Sequence, residues 1–282
     1  MTVTDRLEAA LAQGRRFAER TGCRDGEVLL VTGSSVLPFE TSGGDVDLVL
    51  LTPYDDRFRS FAERRHPERR TEQLANGYAM SYLDAGGEEI DIEVWPEDRV
   101  LAACRALGDG IRDADAVEAD FTRVGGLDVK VGTDLFHALR CGVPAHGAER
   151  LREVRSAVPW RTYQAFKRDC ALVNVRDATK GIPASLRVGR PDEAYLKLCW
   201  AADSLADGLI FHHGLSISRW KWRLRYLPLL EPSFGDWYRE VRFTPQLAPE
   251  ALDRHVGVLR DAWRRHAGTE PLSPEPPEPR LS

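Results

Sequence analysis

The stretch from Val31 to Leu51 constrains this chain more than any other. It reads Val-Thr-Gly33-Ser34-Ser35-Val-Leu-Pro-Phe-Glu-Thr-Ser-Gly43-Gly44-Asp45-Val46-Asp47-Leu48-Val-Leu-Leu51. The apolar run that enters it from Glu27 predicts a buried strand over 27–32, then a turn of small residues. A second apolar strand follows at 45–52, headed by two carboxylates. Side chains alternate faces along a strand, so Asp45 and Asp47 point the same way. Two carboxylates on one face, beside a turn of backbone N–H groups, can hold a divalent cation and the phosphates bound to it. A further acidic set lies in Glu89-Ile90-Asp91-Ile92-Glu93-Val94-Trp95, again alternating acid with apolar. If the two strands are neighbours, the carboxylates converge on one patch.

The rest of the pattern supplies a scaffold for that patch. Leu7, Leu11 and Phe17 mark a helix over 4–21, with Thr4 as its cap and Gly22 as its stop. A short helix through Leu37 follows the Gly33 turn, Gly43-Gly44 bends the chain into the second strand, and a solvated helix covers 55–66. Residues 77–84 and 88–95 read as a hairpin turned by Asp84-Ala-Gly-Gly87. Pro96-Glu97-Asp98 opens a helix to about Leu107, its acids suited to the positive end. This order implies a mixed α/β sheet with helices on it. Beyond it the chain reads as all-helical, with helices at 134–140, 150–158, 161–180, 192–209 and 249–266. The Gly181-Ile-Pro183 step is expected to stop the third of these helices at Lys180. The expected organisation is therefore an α/β domain over 1–140, a helical domain over 141–267, and a Pro- and Glu-rich tail over 268–282 that is expected to be disordered.

Composition narrows the function classes. A chain of 282 residues with a formal net charge of −5 argues against a general nucleic-acid binder, while leaving room for a local basic groove. Residues 31–130 carry roughly twice as many acids as bases, and residues 150–230 about the reverse. An acidic half and a basic half suit a polyphosphate bridged by a metal. No apolar run is long enough to span a bilayer, and the first residues carry no signal-peptide pattern. Five scattered cysteines without a Cys-x-x-Cys pair predict reduced thiols and a cytoplasmic protein. Neither a P-loop nor a Gly-x-Gly-x-x-Gly fingerprint occurs. His212-His213 lacks a third ligand at diagnostic spacing and reads as a helix end. Cys170 and Cys199 lie on buried helical stretches and read as packing residues.

The Gly33-Ser34 pair, its interval to Asp45-Val46-Asp47, and Asp91 between two isoleucines resemble the DNA polymerase β-like nucleotidyltransferase superfamily over residues 27–95. In the helical half, a loop followed by Lys221-Trp222-Arg223 looks like the small-molecule, antibiotic-modifying members. The resemblance implies that Ser34, with Gly33, Ser35 and the turn amides, holds the terminal phosphates of a nucleoside triphosphate. It implies that Asp45 and Asp47 bind two Mg²⁺ (or Mn²⁺) ions, and that a third acid ligates the second metal or takes the proton of the attacking hydroxyl. Asp91 and Glu93 both stand where that acid belongs; Asp91 is favoured because β-branched residues flank it. Lys180, Lys221, Arg219 and Arg223 are candidate phosphate or substrate contacts, with helix-end charge as the alternative for Lys180 and cation–π packing for Lys221. The expected activity is transfer of a nucleoside monophosphate, AMP first, to a hydroxyl of a small molecule such as an antibiotic or a biosynthetic intermediate. Transfer to tRNA or protein, and a non-catalytic nucleotide-binding module, are the other classes.

Overall fold

Helix α1 (Val3–Thr21) starts and stops for local reasons. The Thr2 hydroxyl accepts from the Asp5 amide while the Asp5 carboxylate accepts from the Thr2 amide, so two end groups are satisfied reciprocally. That pairing sets the cap at Thr2, earlier than the Thr4 expected from the pattern. Gly22 closes the helix in the left-handed conformation, φ 63°.

The computed structural model describes residues 2–39, 45–63, 69–73, 77–84, 89–109 and 122–266. After α1 come β1 (Val28–Val31), a 3₁₀ turn (Gly33–Val36), β2 (Val46–Thr52), α2 (Asp55–Glu63), β3 (Arg69–Gln73), β4 (Ala79–Asp84), β5 (Glu89–Pro96) and α3 (Glu97–Asp109). A two-stranded ribbon, β6 (Arg123–Val124) and β7 (Leu127–Asp128), leads into α4 (Val129–Cys141), β8 (Val143–His146) and α5 (Ala148–Ser156). The expected bend at Gly43-Gly44, the hairpin turn after Asp84 and the tail from Gly268 lie outside the described residues.

One six-stranded sheet has the order β3-β4-β5-β2-β1-β8. Its pairs are antiparallel except β2 with β5, which run parallel. A parallel pair needs a long crossover, and α2 with the β3–β4 hairpin supplies it. The even-numbered residues of the central strands (Val46, Leu48, Leu50, Ile90, Ile92, Val94) join Ala10, Leu11 and Phe17 of α1 in one core. Close packing there requires a glycine: a Cβ on Gly14 would come within 2.8 Å of the Ala145 side chain on β8. The odd-numbered residues face the other way, and Trp95 there stacks on Tyr78 with ring centroids 4.4 Å apart.

The mixed α/β region followed by helices matches the fold class expected from the sequence. The chain divides into two compact units, the first ending at Pro159 and the second starting at Trp160. The second holds α6 (Trp160–Arg187), α7 (Pro191–His212), a 3₁₀ turn (Trp220–Trp222), α8 (Arg223–Leu230), α9 (Pro232–Phe243) and α10 (Pro249–His266). Small residues let α6 and α7 approach closely; a Cβ on Gly208 would stand 2.9 Å from that of Ala171. The stop expected at Lys180 does not occur, and α6 continues through Gly181 and Pro183. Burial of Ile182 and Ser185 sustains it, with Lys197 of α7 donating to the Ser185 hydroxyl (2.8 Å) and the Gly181 carbonyl (3.4 Å). Tertiary contacts here outweigh the lost proline N–H.

At the end of β1 and β2 away from Asp47, the Glu27 carboxylate is fully buried. It accepts from the Thr52 hydroxyl (2.7 Å) and the Arg24 amide (2.8 Å), and Arg57 Nε lies 3.3 Å away. Removing one partner of a buried pair leaves the other charge uncompensated. Glu27→Ala is therefore expected to lower the unfolding free energy by about 3–5 kcal/mol in urea titrations. Asp56→Ala, which breaks only the exposed pair with Arg24, should cost less than about 1 kcal/mol.

Candidate active site

The site begins with strand register. Asp47 on β2 stands directly opposite Asp91 on the parallel strand β5. Asp45 lies two residues before Asp47, hence on the same face of the sheet. Together the three offer ligand oxygens that all lie within 4.8 Å of one another, with Asp45 exposed and the other two half-buried. Among the described residues this is the one group of three His, Cys, Asp or Glu side chains that gathers so closely.

The turn after β1 is pressed against this cluster. Gly33 has φ +66°, and a Cβ there would fall 1.8 Å from Asp47 Oδ2. Only glycine tolerates both that backbone and that approach. The Thr32 amide donates to the Asp47 carbonyl (2.9 Å), and the Thr32 hydroxyl reaches the same oxygen at 3.3 Å. Gly33-Ser34-Ser35-Val36 then forms a single 3₁₀ turn, with Ser35 buried and Ser34 partly exposed. Gly33, Ser34 and the carboxylates are thus brought to one place by β1, β2 and β5.

A residue that pattern reading passed over holds the far side of the turn. Arg6 of α1 is buried, and its guanidinium donates to the carbonyls of Leu37 (2.8 Å) and Phe39 (2.7 Å). These bonds tie the loop that leaves the 3₁₀ turn to the first helix. The available signal was its register: Arg6 lies one helical turn before Ala10, on the stripe that α1 buries.

Glu93 shares the face of Asp91 one pleat along, but it stands opposite Val49 rather than an acid. Its Oε2 accepts from the Trp95 indole at 3.2 Å, and it is not part of the three-carboxylate group. Of the two acids, Asp91 and not Glu93 lies with Asp45 and Asp47.

Three like charges so close repel. At 4.8 Å, Coulomb's law gives about 1 kcal/mol per pair in bulk water and about 3–4 kcal/mol at an effective dielectric constant of about 20. Hard carboxylate oxygens are the donors that Mg²⁺ and Mn²⁺ accept, and opposed ligands of an octahedral Mg²⁺ lie about 4 Å apart. The donor set and its spacing fit such a cation, and Asp45, Asp47 and Asp91 are the residues that could hold it.

The cations proposed from the sequence all belong to the second unit. Arg223 is not available for a phosphate: it makes two hydrogen bonds to Asp207 (2.6 and 2.8 Å) and lies 3.2 Å from Asp203. These acids hold its pKa above the ordinary arginine value despite burial. Tyr238 donates to the same Asp203 at 2.8 Å, so the group is a structural network. Lys180 is exposed and lies within α6, which removes the expected helix-end role because the helix runs on to Arg187. Lys221 sits with Nζ 4.7 Å from the Trp222 ring centroid, a cation–π contact. Arg219 is exposed just before the 3₁₀ turn.

His212 ends α7, and Nε2 of His213 and of His266 lie 3.5 and 3.6 Å from Glu231 Oε1. That is the helix-end role expected for the pair. The cysteines are free, and burial raises the Cys104 and Cys141 thiols to about 11 and Cys170 to about 12. Such thiols are poor nucleophiles.

No family model matches the chain, and no curated protein matches it. Among solved structures, the chain is similar to a nucleotidyltransferase-like protein from Exiguobacterium sibiricum. The two share 12% identity at a TM-score of 0.47, over 90% of this chain and 74% of that one. Among the described residues, no helix is long and apolar enough to cross a membrane.

Gly33→Ala should displace Asp47 without unfolding the sheet. Isothermal titration with Mn²⁺ is expected to show affinity lowered on the order of 10–100-fold, with an unchanged circular dichroism spectrum.

Proposed function

We propose that the chain is a Mg²⁺-dependent nucleotidyltransferase. It moves a nucleoside monophosphate, AMP by preference, from a triphosphate to a hydroxyl of a small molecule and releases pyrophosphate. The observation that carries this reading is the convergence of Asp45, Asp47 and Asp91 against the Gly33-Ser34 turn. A site that concentrates negative charge beside a turn of backbone N–H groups suits a ligand that brings both cations and phosphates.

Each residue then has a task. Asp45 and Asp47 hold the metal, and Asp91 completes the set or accepts the proton from the acceptor hydroxyl. When bound, divalent ions neutralise the leaving pyrophosphate and make the hydroxyl a better nucleophile. The Ser34 hydroxyl and the amides of the 3₁₀ turn donate to the terminal phosphates. Gly33 lets the phosphates approach without a side chain in the way, and Thr32 and Arg6 hold the turn in position. The sheet keeps the attacking and leaving groups oriented, which is the larger part of the protein's contribution to such a transfer. The free cysteines suit a reducing compartment, and a cytoplasmic location is part of this proposal.

Labelled triphosphates incubated with Mg²⁺ and either small-molecule hydroxyl acceptors, tRNA or protein should transfer label to the small-molecule fraction. Chelation by EDTA should abolish pyrophosphate release, and Mg²⁺ or Mn²⁺ should restore it. Asp45→Asn with Asp47→Asn is expected to lower kcat at least about 100-fold, equivalent to about 2.7 kcal/mol. Asp91→Asn should reduce kcat more than Glu93→Gln does. Unchanged turnover in the Asp45/Asp47 double variant removes the mechanism.

A further inference from the structure

The second unit contains a cavity of opposite character to the carboxylate site. It has a volume of about 220 Å³ and is lined by Val175, Arg176 and Thr179 of α6 and by Arg260, Trp263 and Arg264 of α10. Half of its lining is arginine and none of it is acidic. Each helix presents one face, because residues three and four apart are neighbours on a helix surface.

The state of each group shows what the cavity lacks. Arg176 meets Asp177 through Nε at 3.1 Å, and Arg264 meets Asp261 through one Nη at 3.5 Å. Both pairs are more than half exposed, where screening leaves them worth little. Each pair also engages only one part of a guanidinium that carries five N–H donors. Arg260 has no ion pair or hydrogen bond among the described residues. The Trp263 indole N–H is screened from solvent and has no acceptor among the described residues. The Thr179 hydroxyl donates to the Val175 and Arg176 carbonyls, so it adds no donor. Lys180, one turn beyond Arg176, extends the positive stripe of α6.

Three guanidinium groups around one small cavity repel one another unless an anion sits among them. A single carboxylate takes one guanidinium fork, whereas a tetrahedral phosphate offers oxygens in several directions at once. Buried Val175 and the Trp263 ring, which packs against the helical core, give the cavity an apolar wall as well.

We propose that the α6–α10 cavity binds the phosphoryl group of a small phosphate monoester, without a metal ion. Arg260 and Arg264 supply one pair of forks, Arg176 the facing one, and the apolar wall takes the adjoining organic group. The site uses none of the residues of the carboxylate cluster, so it stands whether or not that cluster transfers nucleotides.

Calorimetric titration of the full chain in EDTA, which silences any metal-dependent site, tests this. The probes are inorganic phosphate and phenyl phosphate, with acetate and phenol as controls. Saturable one-to-one binding of both phosphates is expected, tighter for the ester. Arg260→Gln with Arg264→Gln should weaken it at least tenfold; both side chains are exposed, and circular dichroism checks that the helices persist. Arg176→Gln should weaken it separately, while Asp45→Asn with Asp47→Asn should leave it unchanged. Absence of saturation, or equal binding by the double arginine variant, overturns the proposal. So does binding confined to oligonucleotides and growing with their length, which would mark a nucleic-acid track instead.

Discussion

Repulsion among three carboxylates is the constraint around which the first unit is built, and it is opposed by hydrophobic burial. Asp47 and Asp91 face each other only because β2 and β5 pair in one register. A slip of one residue would turn Ile90 or Ile92 to the site and Asp91 into the core. Ile90, Ile92, Val46 and Leu48 are all buried on the opposite face. Each fully buried side chain of this kind stabilises by about 1.5–3 kcal/mol. Four of them together are of the same size as three pair repulsions of about 1–4 kcal/mol each. The charge cluster is therefore held together by a core it does not touch.

The turn beside it is held in a different way, by backbone hydrogen bonds and by the absence of a side chain. Thr32 ties β1 to the Asp47 carbonyl, Gly33 removes the atom that would collide with the Asp47 carboxylate, and Arg6 secures the exit through Leu37 and Phe39. Positive charge in the second unit shows the same contrast between satisfied and unsatisfied groups. Arg223 is neutralised by Asp203 and Asp207 and serves the packing of α7, α8 and α9. The arginines between α6 and α10 have only weak, exposed partners or none among the described residues. Sequence cannot separate these two kinds of arginine, because the difference lies in what another helix brings opposite.

Much of the first unit was legible because its information is local. The apolar runs at 28–31 and 46–52 are strands, the hairpin strands fall where alternation placed them, and Gly22 ends α1 as a left-handed glycine should. Alternation alone put Asp45 and Asp47 on one face. Other features escaped because their cause is remote. Strand β8 is only Val-Pro-Ala-His, and it exists because β1 offers it an edge. Helix α6 passes Pro183 because α7 supports it, and Arg6 looks like any surface arginine until the loop carbonyls are placed above it.

The sequence by itself determined the strand periods, the paired acids, the glycine that must bend beside them, and the helical character of the second half. Those follow from backbone sterics and from the two-residue and 3.6-residue repeats, which need no partner. Tertiary structure alone decided that Asp91 stands opposite Asp47, that Gly33 lies against Asp47, and that Arg223 is neutralised. Each of these depends on which strand or helix lies alongside, and such pairings are chosen by burial of the opposite faces rather than by the residues that end up at the site.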